Sequence, residues 1–504
     1  AQAILAQERR RPALRSRDPP CISLRSISFQ FVSMADIKAK LQSMAAGLPV
    51  SRDLTNEAET LQVLTLATEI LSLGADIEEV KKLTYGSESE KPAPPVLISA
   101  VGAAESKLLL KKTAPHHMVC IFAMYGEQNR LRTKAEHENG QNFLCIKTKQ
   151  LEWLFAGEEG KTWEMLAVDD GCPNDSKGLA KDIIEKNGLK NITILDLKNA
   201  YKEKIPFFMD RGLDEACKKS RKGGAIMYGL QYAASTNVFS PSAVPKLVMY
   251  TDSDLSTDMS LCGLLSYGIL NNGCSMSMGA RYGSPGTFLV KPPDQGAAPH
   301  PQSHYEQPNM MKIVLRHYVR VRLLPMLQGI YDTQCAFKCF RAEDLQAVCK
   351  DVKSMGADFD MELLLCALLH YRKGGVDQAK LCDVAGTLFT EDFAESNFMA
   401  SADDPDKNYK TYGGMMDALV GMHERFIEPD SEEAKAVKDL AEFCRGMPWE
   451  TYKKMHDKLN ERGPTLFDHA FTLDELKGSS QRPADRNTTK HNLLQILPDI
   501  LNID

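Results

Sequence analysis

Between about residues 110 and 400, short apolar runs alternate with stretches of helical periodicity, and this alternation restricts the fold more than any other feature. The clearest runs are Met118 to Ala123, Glu164 to Val168, Ile192 to Leu195, Leu247 to Tyr250 and Ser275 to Met278. Runs this short, set apart by helical patterns, read as strands joined by crossover helices. A parallel neighbour is reached only through such a crossover. The expected fold class is therefore α/β, with a mostly parallel sheet and helices on both faces.

The flanks read differently. Residues 34 to 84 carry Leu61, Leu64, Leu66, Ile70, Leu71 and Leu73 at roughly helical spacing, with Thr55 as the expected cap and Glu57 to Glu59 in the first turn. Ser87 to Pro95 has linker composition, and Gly283 to Pro308, rich in Gly, Pro, His and Gln, reads as a flexible excursion. Helical patterning returns through Met415 to Phe426, Ser431 to Arg445 and Trp449 to Leu459, and Gly478 to Lys490 is polar and loose. The expected division is a 1–33 leader, a helical N-terminal extension over 34–110, a central domain over 111–400 and a helical C-terminal extension over 401–504. The leader carries Arg9, Arg10, Arg11, Arg15, Arg17 and Arg25 against Glu8 and Asp18. That composition fits a disordered or targeting segment, or upstream sequence ahead of a start at Met34-Ala35-Asp36.

Composition excludes several classes. A net charge of −6 argues against general nucleic-acid binding. The 13 cysteines are scattered with no CxxC pair, which suits reduced thiols in a cytoplasmic setting. No uninterrupted apolar stretch is long enough for a membrane span. Lys312 to Leu327 mixes Ile313, Val314, Leu315, Val319, Val321, Leu323 and Leu324 with Lys312, Arg316, Arg320 and Arg322. Three readings compete for it: a core helix with solvated arginines, a basic amphipathic helix touching the cytosolic face of a membrane, and a set of arginines for an acceptor phosphate.

The chemistry concentrates where the strands end. After the first run comes Tyr125-Gly126-Glu127-Gln128-Asn129-Arg130, after the second Asp169-Asp170-Gly171-Cys172-Pro173-Asn174-Asp175-Ser176, and after the fourth Asp252-Ser253-Asp254. In open parallel sheets, ligands bind beyond the carboxyl ends of the strands. Crowded carboxylates repel, and a divalent cation with substrate phosphates relieves the repulsion, which points to Mn2+ or Mg2+. Alone, Asp-x-Asp is most often a surface loop, and Asp-Asp-Gly a turn.

Taken together, these exits resemble glycosyltransferase family 2, which has the GT-A fold, and most closely its dolichyl-phosphate glucosyl- and mannosyltransferase branch. Tyr125-Gly126-Glu127 and Arg130 are similar to its Tyr-Asn-Glu-x-x-Arg, with Gly126 for Asn, and Asp169 to Ser176 to its Asp-Asp-Gly-Ser-x-Asp-x-Ser/Thr. Arg221 to Leu230 resembles its Gly-Lys-Gly-Gly-Ala segment, and Gly279-Ala280-Arg281 its Gly-Ser-Arg. Asp332 to Lys338 and Phe359 to Leu364 resemble Asp-Thr-Gln-Cys-Gly-Phe-Lys and Phe-Asp-Val-Glu-Leu-Leu. The likeness spans roughly 118 to 400, departs at an insertion over Lys198 to Lys219, and leaves out both flanks.

The resemblance implies an inverting, metal-dependent transfer of a sugar from a nucleotide diphosphate donor. Tyr125, Glu127, Asp169 and Asp170 would hold the nucleotide, with Lys222, Gly223 and Gly224 admitting it at a helix start and Arg281 meeting a phosphate. Asp252 and Asp254 would carry the metal. Gln334, Lys338 and Asp332 would close the acceptor side, with Asp332 and Asp360 the candidate bases for a hydroxyl acceptor; an ionised phosphate acceptor, such as a lipid phosphate, needs none. For Asp360 and Glu362 an equal alternative is anchorage of a helix. Two other readings stand beside it. A sugar nucleotidyltransferase would want a basic Gly-rich loop where Tyr125-Gly126-Glu127 stands, and a non-catalytic scaffold would not need the Asp252 and Asp254 carboxylates.

Overall fold

A computed structural model of the chain describes residues 33–86, 92–209, 220, 222–235, 244–281, 288–290, 319–327, 330, 332–356, 358–390, 392, 407–448 and 450–451. Nearly all of the 1–33 leader, the first five residues of the Ser87 to Pro95 linker, the end of the Lys198 to Lys219 insertion, Lys312 to Tyr318, most of Trp449 to Leu459 and Gly478 to Lys490 lie outside the described residues. So does most of the Gly283 to Pro308 excursion.

Every apolar run becomes a strand: β1 His117–Met124, β2 Thr162–Asp169, β3 Ile192–Asp196, β4 Lys246–Tyr250 and β5 Met276–Ala280. Four more were not anticipated: β6 Phe288–Val290, β7 Lys338–Arg341, β8 Cys382–Gly386 and β9 Leu388–Thr390. The main sheet has the order β3-β2-β1-β4-β7-β5-β8, and β6 pairs with β9 in a separate ribbon, so part of the excursion is strand. In the main sheet β7 alone runs antiparallel, against β4 on one side and β5 on the other.

The helices are α1 Met34–Ala45, α2 Glu57–Ser72, α3 Ile77–Thr84, α4 Pro95–Lys112, α5 Phe143–Phe155, α6 Ser176–Asn187, α7 Pro206–Met209 and α8 Gly223–Ser235, then α9 Cys262–Leu270 and α10 Arg320–Leu323. After β7 come α11 Ala342–Cys349, α12 Phe359–Lys373, α13 Lys407–Phe426, α14 Glu432–Ala436 and α15 Lys438–Cys444. They cover both faces of the sheet, as expected. In β1, side chains alternate between the faces. Phe122 meets Phe143 of α5 edge to face, while Ile121 and Val168 press on Gly229 of α8 from the other side. A central strand buried on both faces has to be apolar throughout, which is why β1 and β2 read as continuous runs.

The expected cap of α2 shifts by one residue. Asn56, not Thr55, accepts from the Glu59 amide, and Thr55 instead donates its amide to Asp53. Pro95, placed in the linker by composition, is the first residue of α4, where a missing N–H costs nothing. The N-terminal helices are clamped to the sheet. Arg52 donates twice to Asp258 at 2.9 Å, and Gln150 of α5 donates to the same carboxylate at 2.7 Å, all three side chains buried. Among the described residues the cysteines are free thiols, and no helix is long and apolar enough to cross a membrane.

Within Lys312 to Leu327 the described part is α10 and the turn after it. Arg320 is buried there, donating to Thr333 Oγ1 and the Ile330 carbonyl, so it lies neither on a solvated face nor on a membrane-facing one.

Candidate active site

The order of the sheet determines where the site lies. The chain leaves β1 toward β2 and β3, then returns to place β4 on the other side of β1, so the connections diverge between β1 and β4. Such a switch opens a crevice beyond the carboxyl ends of the strands. Register brings the exits together: the Asp170 amide donates to the Met124 carbonyl at 3.0 Å, and the Thr251 amide to Ile121 at 2.9 Å. Tyr125 leaves β1 with its ring half exposed at the rim.

Gly126 has φ +76. Asparagine, which the family motif carries there, is the side chain that best tolerates this left-handed region, so the exchange keeps the turn. The Gly126 amide donates to Cys172 Sγ at 3.2 Å and the Glu127 amide to Ser176 Oγ at 3.0 Å, tying the β1 exit to the β2 exit.

Lys222 stands at the junction of the next two elements. It too has a positive φ, +73, and carries a full side chain, a conformation costing about 1–2 kcal/mol. Such strain persists only where the surroundings impose it. Here the Lys222 amide donates to Asp170 Oδ2 at 2.9 Å, and Gly223, first residue of α8, lies so close to Met355 that a Cβ would sit 2.8 Å from its carbonyl. The Lys222 ammonium pairs with Asp252 Oδ1. Asp170, Lys222 and Asp252 thus form one chain across the crevice.

Charge divides the carboxylates. Burial would push Asp252 up, but the Lys222 ammonium, aided by Arg281 and Lys147, holds it below the usual range. Asp254 goes the other way, raised by burial and by the Asp252 charge, with Arg130 opposing. Glu127, buried and near Asp254, is pushed up to about 7 against the pull of Arg130. Asp169 is raised by burial, and its strongest charged neighbours are Lys177 and Asp196, so it faces the β3 side rather than Asp252. Its Oδ1 is buried without a hydrogen bond, an acceptor left for a ligand N–H.

Arg281 follows β5 and grips Asp332 through its amide at 2.9 Å and through Nε and Nη2, each at 2.8 Å. Asp332 is brought there because β7 runs antiparallel, so the loop before it opens at the same edge as the β4 and β5 exits. Gln334 sits half-buried in that loop. Lys338 and Asp360 lie behind: Lys338 donates to Asp360 Oδ1 at 3.0 Å, and the Tyr250 hydroxyl donates to the same oxygen. Glu362 takes the Lys353 and Ser354 amides on one oxygen and Arg425 on the other, which anchors the start of α12.

Four participants were missed. Arg130 donates to Glu127 at 3.3 Å and to Asp392 at 2.9 Å; Gln141 donates to Asp392 at 2.5 Å and accepts from the Leu255 amide at 2.9 Å. Lys147 of α5 is fully buried, its Nζ without a hydrogen bond, and burial holds it below the usual lysine value against the pull of Asp254, Asp252 and Asp258. Only Arg130 carried a signal, its place in the Tyr125 to Arg130 motif.

Glu127 sets a pH dependence. The folded chain keeps its proton up to about 7, whereas an unfolded glutamate releases it near about 4.3. Between those values the folded state binds more protons, so stability falls as pH rises and levels off above 7. Melting temperatures without metal from pH 5 to 8 are expected to decline, and Glu127→Gln is expected to reduce the decline. An unchanged slope in that variant would contradict the assignment.

Fold and site define a mixed α/β protein with a seven-stranded, mostly parallel sheet and an acidic crevice at its switch point. No family model and no curated protein matches the chain. Among solved structures it is similar to a mannosyltransferase from Pyrobaculum calidifontis in complex with GDP-Man and Mn2+, at 12% identity and a TM-score of 0.34, over 81% of this chain and 99% of that one. So distant a likeness carries no argument about chemistry, which rests on the side chains.

Proposed function

We propose that the chain is a metal-dependent glycosyltransferase that moves a sugar from a nucleotide diphosphate donor, with inversion as the family 2 resemblance implies. The observation that carries the reading is the chain Asp170–Lys222–Asp252, with Asp254 and Glu127 beside it, at the switch point of the sheet. Among the described residues no three His, Cys, Asp or Glu side chains form a metal cage. Two carboxylates completed by phosphate oxygens and water are the donor set Mg2+ or Mn2+ accepts beside a nucleotide, so Asp252 and Asp254 fit. Bound there, the cation would offset charge on the departing diphosphate. Tyr125 would stack on the base, the Asp169 Oδ1 would accept from it, and the start of α8 would face the diphosphate.

The acceptor follows from what the candidate bases already do. Asp332 is held by Arg281, and Asp360 by Lys338 and Tyr250. A carboxylate so engaged has less room for an incoming hydroxyl, which favours an acceptor that is already ionised. A phosphate, as on a lipid phosphate, is already ionised and needs no base, and it would reach the Arg281 guanidinium only by sharing or exchanging its grip on Asp332. The test is a panel of nucleotide diphosphate sugars with Mn2+, read by nucleotide release and melting temperature. One donor is expected to raise the melting temperature only with metal, and a phosphate acceptor to speed release. Silence across the panel would favour the scaffold, and consumption of a sugar 1-phosphate with a nucleoside triphosphate would favour nucleotidyl transfer.

A further inference from the structure

We infer that the Lys222 ammonium is a built-in occupant of the cation place on Asp252, which a divalent ion enters only by displacing it toward a diphosphate. The inference rests on the reading of this crevice as a donor site, and it adds that metal and diphosphate bind as one cooperative unit.

Three observations carry it. Lys222 Nζ lies on Asp252 Oδ1, with the two side chains 28% and 40% exposed, whereas Asp169, Asp170 and Glu127 are all buried. Asp252 is therefore a carboxylate that a cation arriving from solvent can reach, and its oxygen is taken. A metal ion bonds a carboxylate oxygen at about 2.0–2.2 Å. An ion that takes Oδ1 then meets the ammonium as a like charge in near contact, so entry at that oxygen displaces Lys222.

The second observation is that the lysine backbone cannot follow its side chain. It is pinned by the hydrogen bond its amide donates to Asp170 Oδ2 and by Gly223 against Met355. Only the side chain swings, and it swings from a point one residue before the start of α8, where a diphosphate would find the helix amides and the ammonium together.

The third is Lys147. Its Nζ is buried on the α5 side with no hydrogen bond of its own, drawn toward charge by Asp254 and Asp252 while burial works against that charge. Lys222 thus already offsets the Asp252 charge, so a metal ion by itself gains little. Adding a diphosphate changes the balance, because the displaced Lys222 then has an anion to meet. By linkage, each ligand must raise the affinity for the other by the same factor.

The experiment uses the full chain, with bound Mn2+ measured by electron paramagnetic resonance, alone and with GDP or UDP. Wild type is expected to bind Mn2+ weakly alone and more tightly with one of the nucleotides. Lys222→Met shares the backbone requirement and drops only the charge. It is expected to bind Mn2+ alone roughly tenfold tighter, a figure kept modest because the pair is partly exposed, and to lose most of the nucleotide-driven gain. Lys222→Gln should shift the same way, Lys222→Arg should stay near wild type, and Asp252→Asn should lose Mn2+ throughout. A variant with a merely loosened fold would bind metal more weakly, not more tightly. Equal or weaker Mn2+ affinity in both neutral variants overturns the inference. Tighter Mn2+ in those variants without any nucleotide effect in wild type would instead leave the exchange standing and remove the donor-site reading.

Discussion

Asp254→Asn is expected to abolish metal-dependent donor binding while leaving a fold that melts at the same temperature or slightly higher. Burial and the neighbouring Asp252 raise the Asp254 carboxyl, so its ionised form works against the folded state at neutral pH. An amide removes that charge and keeps the contact of Oδ1 with the Ser256 amide at 3.0 Å, so the turn is preserved. The gain should be about 1–3 °C in a chain this long. Loss of a metal ligand should lower transfer by on the order of a hundredfold or more, since even outer residues of metal sites are worth about 10–100-fold. Thermal shift with donor and Mn2+, set beside initial rates, reads both effects. Asp254→Asn with wild-type affinity for donor plus Mn2+ would remove the metal assignment.

Lys338→Met is expected to be the most destabilising single change near the site, at about 3–5 kcal/mol, because it strands a buried carboxylate. The Lys338 side chain is fully buried on Asp360, with its ammonium near the Tyr250 ring and bonded to the Cys335 carbonyl. Without it Asp360 keeps, among the described residues, the Tyr250 hydroxyl as a donor and the more distant Lys222 charge. Denaturant unfolding measures the loss, and adding Asp360→Asn to Lys338→Met should recover part of it by removing the stranded charge. A loss below about 1 kcal/mol, the size expected of an exposed pair, would mean water reaches the cluster and would restore Lys338 as a candidate acceptor contact.

The strand exits were legible because an apolar run followed by carboxylates is a local pattern: Met118 to Ala123 before Glu127, Leu247 to Tyr250 before Asp252. Lys338 and Asp360 were legible as motif members yet not as partners. Their pairing depends on β7 lying between β4 and β5 with Tyr250 opposite Lys338. β6, β7, β8 and β9 carry no strand signal, since Lys338–Arg341 has charge at both ends, Cys382–Gly386 is only half-buried, and Phe288–Val290 and Leu388–Thr390 are three residues long. Asp392 reaches Arg130 across a separation of 262 residues, and no spacing rule points from one to the other.

From its residues alone this chain declared an α/β sheet and the strand ends that bear its acidic groups, because backbone periodicity and burial act over neighbours in sequence. Only the folded chain decided which charges meet. Lys222 pairs with Asp252, Arg281 rather than an acceptor holds Asp332, and Lys147 lies near Asp252 and Asp254 without a hydrogen bond. Coulomb interactions depend on distance through space and on how much water is excluded, and neither is written in the order of the residues.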